Sequence, residues 1–165
     1  MLDLFAAQAE KKNVLLTGHL PLPANTRVLG DEMRLRQILV NLVGNAIKFT
    51  TQGSVEVSGA LTYETDGHVQ VQFTVADTGV GIADDAQARL FEPFVQAGAS
   101  TSRADGTGLG LTISRELARL MHGDITVTSR EGQGSSFTVT LLLHASALIR
   151  PPVMPAPRTE TVYAC

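Results

Sequence analysis

The chain has a single cysteine, Cys165, and no tryptophan. One thiol cannot close an intrachain disulfide, so the fold must hold together without a covalent staple. Histidines are sparse too: His19, His68, His122 and His144 are scattered and never fall at the spacing of a zinc site. Surplus positive charge is missing, with 13 Lys and Arg against 16 Asp and Glu and a net charge of -3. A nucleic-acid-binding domain needs a basic face, so no nucleic-acid partner is expected. No apolar run reaches the length of a membrane helix. The start, Met1-Leu-Asp-Leu-Phe-Ala-Ala-Gln-Ala-Glu, lacks the basic head and small-residue cleavage site of a secretory leader. What these absences leave is one ordinary globular domain of 165 residues, large enough to bury a real core.

Proline and glycine punctuate what is there. Residues 2–12 have helix-forming composition and can end at Lys11-Lys12, where positive charge suits a helix C-terminus. A strand is expected over 13–20, broken at Pro21-Leu-Pro-Ala-Asn. Asp31 is a good N-cap for a long helix running to Thr50. Residues 54–58 alternate as a strand should, and 68–76 alternate for longer, with Val69, Val71, Phe73 and Val75 on one face. Residues 63–67 form the loop between them. A short helix covers 84–90, a longer one 109–121, and strands at 124–129 and 135–143 close a hairpin across Arg130 to Gly134. Residues 91–107 show no sustained period, and a long irregular loop inside a compact domain tends to be functional. The order αβαββααββ predicts an α+β fold: a two-layer α/β sandwich with a mixed, mostly antiparallel sheet of about five strands and helices on one face. The domain is expected to span 1–148. Pro151, Pro152, Pro155 and Pro157 mark 149–165 as an extended linker or tail.

The long helix carries a polar stripe. At 100° per residue, Asn45 stands about 40° and Lys48 about 20° from Asn41 around the axis. Leu35, Ile38, Leu39, Leu42, Val43 and Ala46 spread over the other side. A solvated face would look similar, yet asparagine is a poor helix former. Two of them one turn apart suggest amide oxygens wanted at defined places. Such oxygens suit a hard cation like Mg2+, and the neighbouring lysine suits phosphate. Asp77-Thr78-Gly79-Val80-Gly81-Ile82 follows the longest alternating strand. Read plainly it is a tight turn; read functionally it offers a carboxylate to an exocyclic amine, with glycines that let a flat base approach. Gly106-Thr107-Gly108-Leu109-Gly110-Leu111 opens the next helix, where backbone N–H groups make an anion site. It fits neither the Walker loop nor the dinucleotide fingerprint. Gly132 and Gly134 alone read as a hairpin turn.

The order of these clusters resembles the catalytic and ATP-binding domain of bacterial sensor histidine kinases, in the GHKL superfamily with its Bergerat-type fold. Asn41 to Thr50 is similar to the family's N box, Asp77 to Ile82 to its G1 box and Leu90-Phe-Glu-Pro-Phe94 to its F box. Gly106 to Leu111 is similar to the G2 box, and Gly132 to Ser136 to the last glycine box. The resemblance implies ATP and Mg2+ as cofactors. It implies Asn45 as the metal ligand, Asn41 and Lys48 at the phosphates, and Asp77 at the adenine amino group, with Thr78, Gly79, Gly81 and Ile82 lining the base site. Residues 91–107 would be the ATP lid, with Phe91 and Phe94 packing its base. Arg103 would reach the γ-phosphate, and Gly106, Thr107, Gly108, Leu109, Gly110 and Leu111 would cradle phosphates. Core packing is an equally good reading of Phe91 and Phe94.

Two departures stand out. The paired glycine common before the G2 threonine reads Asp105-Gly106 here, and no phospho-acceptor histidine box is present. The resemblance therefore implies a kinase that transfers the γ-phosphoryl group to a histidine on a separate dimerisation and phosphotransfer domain. A response-regulator receiver domain would act downstream, as in hybrid kinases. The implied setting is cytoplasmic, with the fragment monomeric and the full-length kinase a homodimer anchored in the bacterial inner membrane. Two alternatives stay open at this point: a GHKL-type ATPase, and a degenerate nucleotide-binding docking domain. The hydrolases place a glutamate where Asn41 stands, one turn before the metal asparagine.

Overall fold

The computed structural model describes residues 1–21, 27–63, 67–94 and 108–145. In chain order the elements are α1 (Asp3–Lys11), β1 (Val14–His19), β2 (Val28–Leu29), α2 (Glu32–Phe49), β3 (Gly53–Tyr63), β4 (His68–Asp77), α3 (Asp84–Gln87), α4 (Gly110–Leu120), β5 (Asp124–Arg130) and β6 (Gly134–Ala145). The sheet runs β1-β3-β4-β6, and β6 carries both β5 and β2 on its outer edge. Among the described residues only β1 and β3 pair in parallel.

The expected architecture is present with one more strand. Two residues, Val28 and Leu29, pair with Ala145 and His144. So short a strand has no period to read, and only the finished sheet edge recruits it. The short helix also stops at Gln87, three residues earlier than expected, and the chain continues in turns to Phe94.

Alternation decides which face is covered. Val55 and Val57 on β3, Val69, Val71 and Val75 on β4, and Phe137, Val139, Leu141 and Leu143 on β6 all point inward and are buried. They meet Ile38, Leu42, Val43, Ala46 and Ile47 from α2 and Ala118 from α4. Burying each large aliphatic side chain contributes roughly 1.5–3 kcal/mol before chain entropy is counted. The opposite face is a polar ladder: Thr74 and Thr138 hydroxyls lie 3.2 Å apart, and the Gln72 amide donates to Thr140 at 3.4 Å. A sheet with one wet face is the antiparallel norm.

Helix ends follow local chemistry. Asp31 caps α2, its carboxylate accepting from the Arg34 N–H at 3.0 Å. At the end of α4 the Gly123 N–H returns to the Ala118 carbonyl at 2.9 Å while His122 takes a left-handed φ of 58°, which is a Schellman closure. These two caps hold the helices that carry the glycine and asparagine clusters.

Candidate functional site

The polar stripe on α2 faces the start of α4. Asn41 is half-buried, and its Nδ2 donates at 2.9 Å to the hydroxyl of Ser114, which is buried on α4. The amide oxygen then points at the first turn of α4: a Cβ added at Gly110 would lie 2.5 Å from Asn41 Oδ1. A larger residue at position 110 would push on the Asn41 side chain. Gly108, two residues earlier, has a φ of 69°, another position that glycine fills without strain. Leu111 turns back onto the core. Asn45 and Lys48 follow Asn41 down the same face, both half-buried. The Lys48 ammonium lies 5.4 Å from the centre of the Phe49 ring.

The turn after β4 closes against the other end of α2. Asp77 Oδ1 accepts from the Gly79 N–H at 2.8 Å. Burial pushes the Asp77 carboxyl above its ordinary value of 3.8, while the backbone N–H groups of Gly79 and Ser135 pull it back. A Cβ at Gly79 would stand 2.6 Å from the Phe49 carbonyl oxygen, so glycine lets the turn lie on the last turn of α2. Thr78 is bound to Ser54 three times: its hydroxyl accepts from the Ser54 N–H at 2.9 Å and donates to the Ser54 carbonyl at 3.4 Å, and its own N–H donates to that carbonyl at 3.1 Å. Gly134, with φ 99°, packs directly on the Asp77 carbonyl. Ile82 donates its N–H to Ser129 Oγ at 2.8 Å, and that hydroxyl donates to the Gly134 carbonyl at 2.9 Å. One turn is thus wired to α2, β3 and the β5–β6 hairpin.

The third side is built on Phe91. Its ring is half-buried against the core and lies 4.6 Å beneath the Arg115 guanidinium, a cation–π contact. Arg115 also grips Asp124 with two bonds, Nε–Oδ1 at 2.7 Å and Nη2–Oδ2 at 3.0 Å. That guanidinium holds the Asp124 carboxyl below the usual carboxylate range. Phe94 behaves differently from Phe91: it is 75% exposed with a φ of 63°. Of the pair, only Phe91 packs. Arg103, Gly106, Thr107 and most of the expected lid lie outside the described residues.

The structure therefore sets Asn41, Asn45 and Lys48 on one face of α2's C-terminal half, with Gly110 and Ser114 of α4 against Asn41. It sets Gly79, held by Asp77, on the helix's end, while Thr78 pairs with Ser54 and Gly81 and Ile82 lie against the β5–β6 hairpin. Reading the residues one by one missed Ser114, Ser135 and the role of Gly134. Ser114 shows no signal beyond its helical position, four residues past Gly110. Gly134 looked like mere hairpin, although a second glycine so near Gly132 was the available hint of a close backbone approach.

Residues 30–145 match the family of histidine kinase-, DNA gyrase B- and HSP90-like ATPases. The chain belongs to that family. Within the family it resembles sensor kinases. It is 43% identical over 142 residues to the autoinducer 2 sensor kinase/phosphatase LuxQ of Vibrio parahaemolyticus, covering 84% of this chain and 16% of that protein. It is 42% identical over 164 residues to the virulence sensor protein BvgS of Bordetella bronchiseptica, covering 96% and 13%. Full-length ShkA, solved in complex with AMPPNP, superposes with a TM-score of 0.72 at 40% identity over 87% of this chain and 28% of that one. The nucleotide-free catalytic domain of the histidine kinase ThkA superposes at 0.67 with 29% identity, covering 85% and 86%. This is accordingly an ATP-binding catalytic domain of the sensor histidine kinase kind, spanning about a sixth or less of the curated relatives just named.

Proposed function

We propose that the domain binds ATP with Mg2+ and presents the γ-phosphoryl group to a histidine on a separate dimerisation and phosphotransfer domain. The observation that carries this reading is the placement of the C-terminal half of α2. Its amide and lysine stripe is flanked on one side by the N-terminus of α4, across Asn41, and at its end by the Asp77 turn, across Phe49. A half-buried carboxylate with a backing of backbone donors suits the exocyclic amine of adenine. Half-buried amide oxygens beside a lysine suit a hard cation and phosphate.

The donor chemistry also fits magnesium. Among the described residues no cluster of three or more His, Cys, Asp or Glu is present. A site for Mg2+ on this chain would rest on Asn45, with phosphate oxygens and water completing the shell, the usual arrangement for this ion at nucleotides. When bound, the cation neutralises charge on the phosphates; Lys48 adds to that neutralisation and Asn41 orients the chain of oxygens. Arg103, Gly106 and Thr107 would complete the phosphate side. Phosphoryl transfer asks mainly for positioning and charge stabilisation, so these residues need supply no covalent step. Asn41 stands where a hydrolase would want a carboxylate base, and an amide cannot take a proton from water.

In the full protein we expect a homodimer anchored in the inner membrane, with a response-regulator receiver domain acting downstream. The test uses labelled ATP: the fragment alone takes up no stable label, and a separately supplied phosphotransfer domain from the same protein becomes labelled when the fragment is added. Stable label on the fragment itself would contradict the reading.

A further inference from the structure

The C-terminal end of α2 is capped from outside the helix. A helix leaves its last four carbonyls without partners of its own. Here the Lys12 ammonium, just past the end of α1, donates to three of the carbonyls in this stretch: Ile47 at 2.8 Å, Lys48 at 2.8 Å and Thr50 at 3.3 Å. The Ala46 carbonyl takes the Thr50 N–H at 3.0 Å and the Thr50 hydroxyl at 2.7 Å, and the Phe49 carbonyl lies beneath Gly79. Every carbonyl from 46 to 50 has a neighbour. An ammonium has three protons and no acceptor, so three converging carbonyls use it fully. The partial negative charge of a helix C-terminus strengthens each bond.

The same helix touches α2 again one turn earlier. A Cβ added at Gly44 would meet the Phe5 ring at 3.6 Å, an ordinary packing distance. The two contacts of α1, at Gly44 and at residues 47–50, bracket Asn45 and Lys48. Composition alone assigned Lys12 to the end of its own helix; its ammonium serves another.

We propose that Lys12 is a positioning residue for the nucleotide site. By fixing the carbonyls around Lys48 it sets where the Asn45 and Lys48 side chains stand. This rests on the ATP-site reading given above. Without the ammonium the end of α2 frays or slides, and a displacement of about 1 Å at a reacting group is enough to cost up to about a hundredfold. The adenine end is held differently, through Asp77 and the N–H groups of Gly79 and Ser135.

The experiment is calorimetric titration of the chain with ATP·Mg2+ and with adenosine, at a temperature where circular dichroism shows each variant folded. Lys12→Met is expected to weaken ATP·Mg2+ binding by about tenfold or more and adenosine binding by less than about twofold. Lys12→Arg keeps the cation and its donors and is expected to recover most of the loss. Should the methionine variant not fold, Lys12→Gln, which keeps a neutral donor, is expected to show the same split at smaller size. A folded Lys12→Met or Lys12→Gln chain with unchanged ATP·Mg2+ affinity, or with both ligands weakened equally, overturns the proposal. A wild-type chain with no saturable ATP·Mg2+ binding overturns the site reading itself, and the proposal falls with it.

Discussion

In Asp77, burial and hydrogen bonding act against each other on one carboxyl group. Burial raises its folded pKa above 3.8, and the two backbone donors offset only part of that. The native state therefore holds the proton more tightly than the unfolded chain. The stability linked to this group is greatest below 3.8 and is lost as pH rises through the folded value. Ionising the Asp77 carboxyl is therefore a cost to the fold. Asp77→Asn is expected to leave the melting temperature at pH 7 unchanged or higher by scanning calorimetry. It should weaken ATP at least about tenfold, the size of one lost charge-assisted hydrogen bond. Gly134 tests the scaffold instead. Its φ of 99° and its contact with the Asp77 carbonyl leave no room for a methyl group, so Gly134→Ala is expected to cost about 2–4 kcal/mol in urea denaturation.

At the scale of elements, α2 is the beam on which both sides of the site are mounted. Its stripe was legible in the sequence because a period of 3.6 separates Asn41, Asn45 and Lys48 from the apolar residues, and the buried side of α2 is the one expected. Its N-cap was legible because Asp31 has a local job. Lys12 and Ser114 were not, since each acts on a residue far away in sequence and shows no pattern of its own. The strand Val28–Leu29 was hidden for a similar reason, being defined only by its partner. The strut of Phe91, Arg115 and Asp124 ties the chain leaving α3 to the body of α4. Arg115 holds the Asp124 pKa down, so the stability it contributes is present above 3.8 and is lost as pH falls through the lower folded value. Asp124 is 43% exposed, which limits the pair to about 1 kcal/mol or less. Asp124→Asn should accordingly lower stability slightly at pH 7 and make no difference in strong acid, as thermal melts at the two pH values would show.

At the scale of the whole molecule, four glycine- or asparagine-bearing segments and the Leu90–Phe94 segment made the family legible, since their order along the chain follows the order of its boxes. Fold and family followed from that order, and residues 30–145 match the family directly. Residues 91–107 were readable only as an irregular stretch, because they carry no sustained period. The wiring behind the site was not readable at all, because backbone approaches such as Gly79 on Phe49 arise only once the chain is folded. The account stands or falls on whether Asn45 holds the cation that brings ATP to this face. The direct measurement is titration of a fluorescent ATP analogue into wild type and Asn45→Ala, each with and without Mg2+. The expected result is a wild-type affinity that tightens about tenfold or more with Mg2+, and an Asn45→Ala chain that binds the metal-free nucleotide but gains nothing from the metal. Equal gains from Mg2+ in both chains would contradict it.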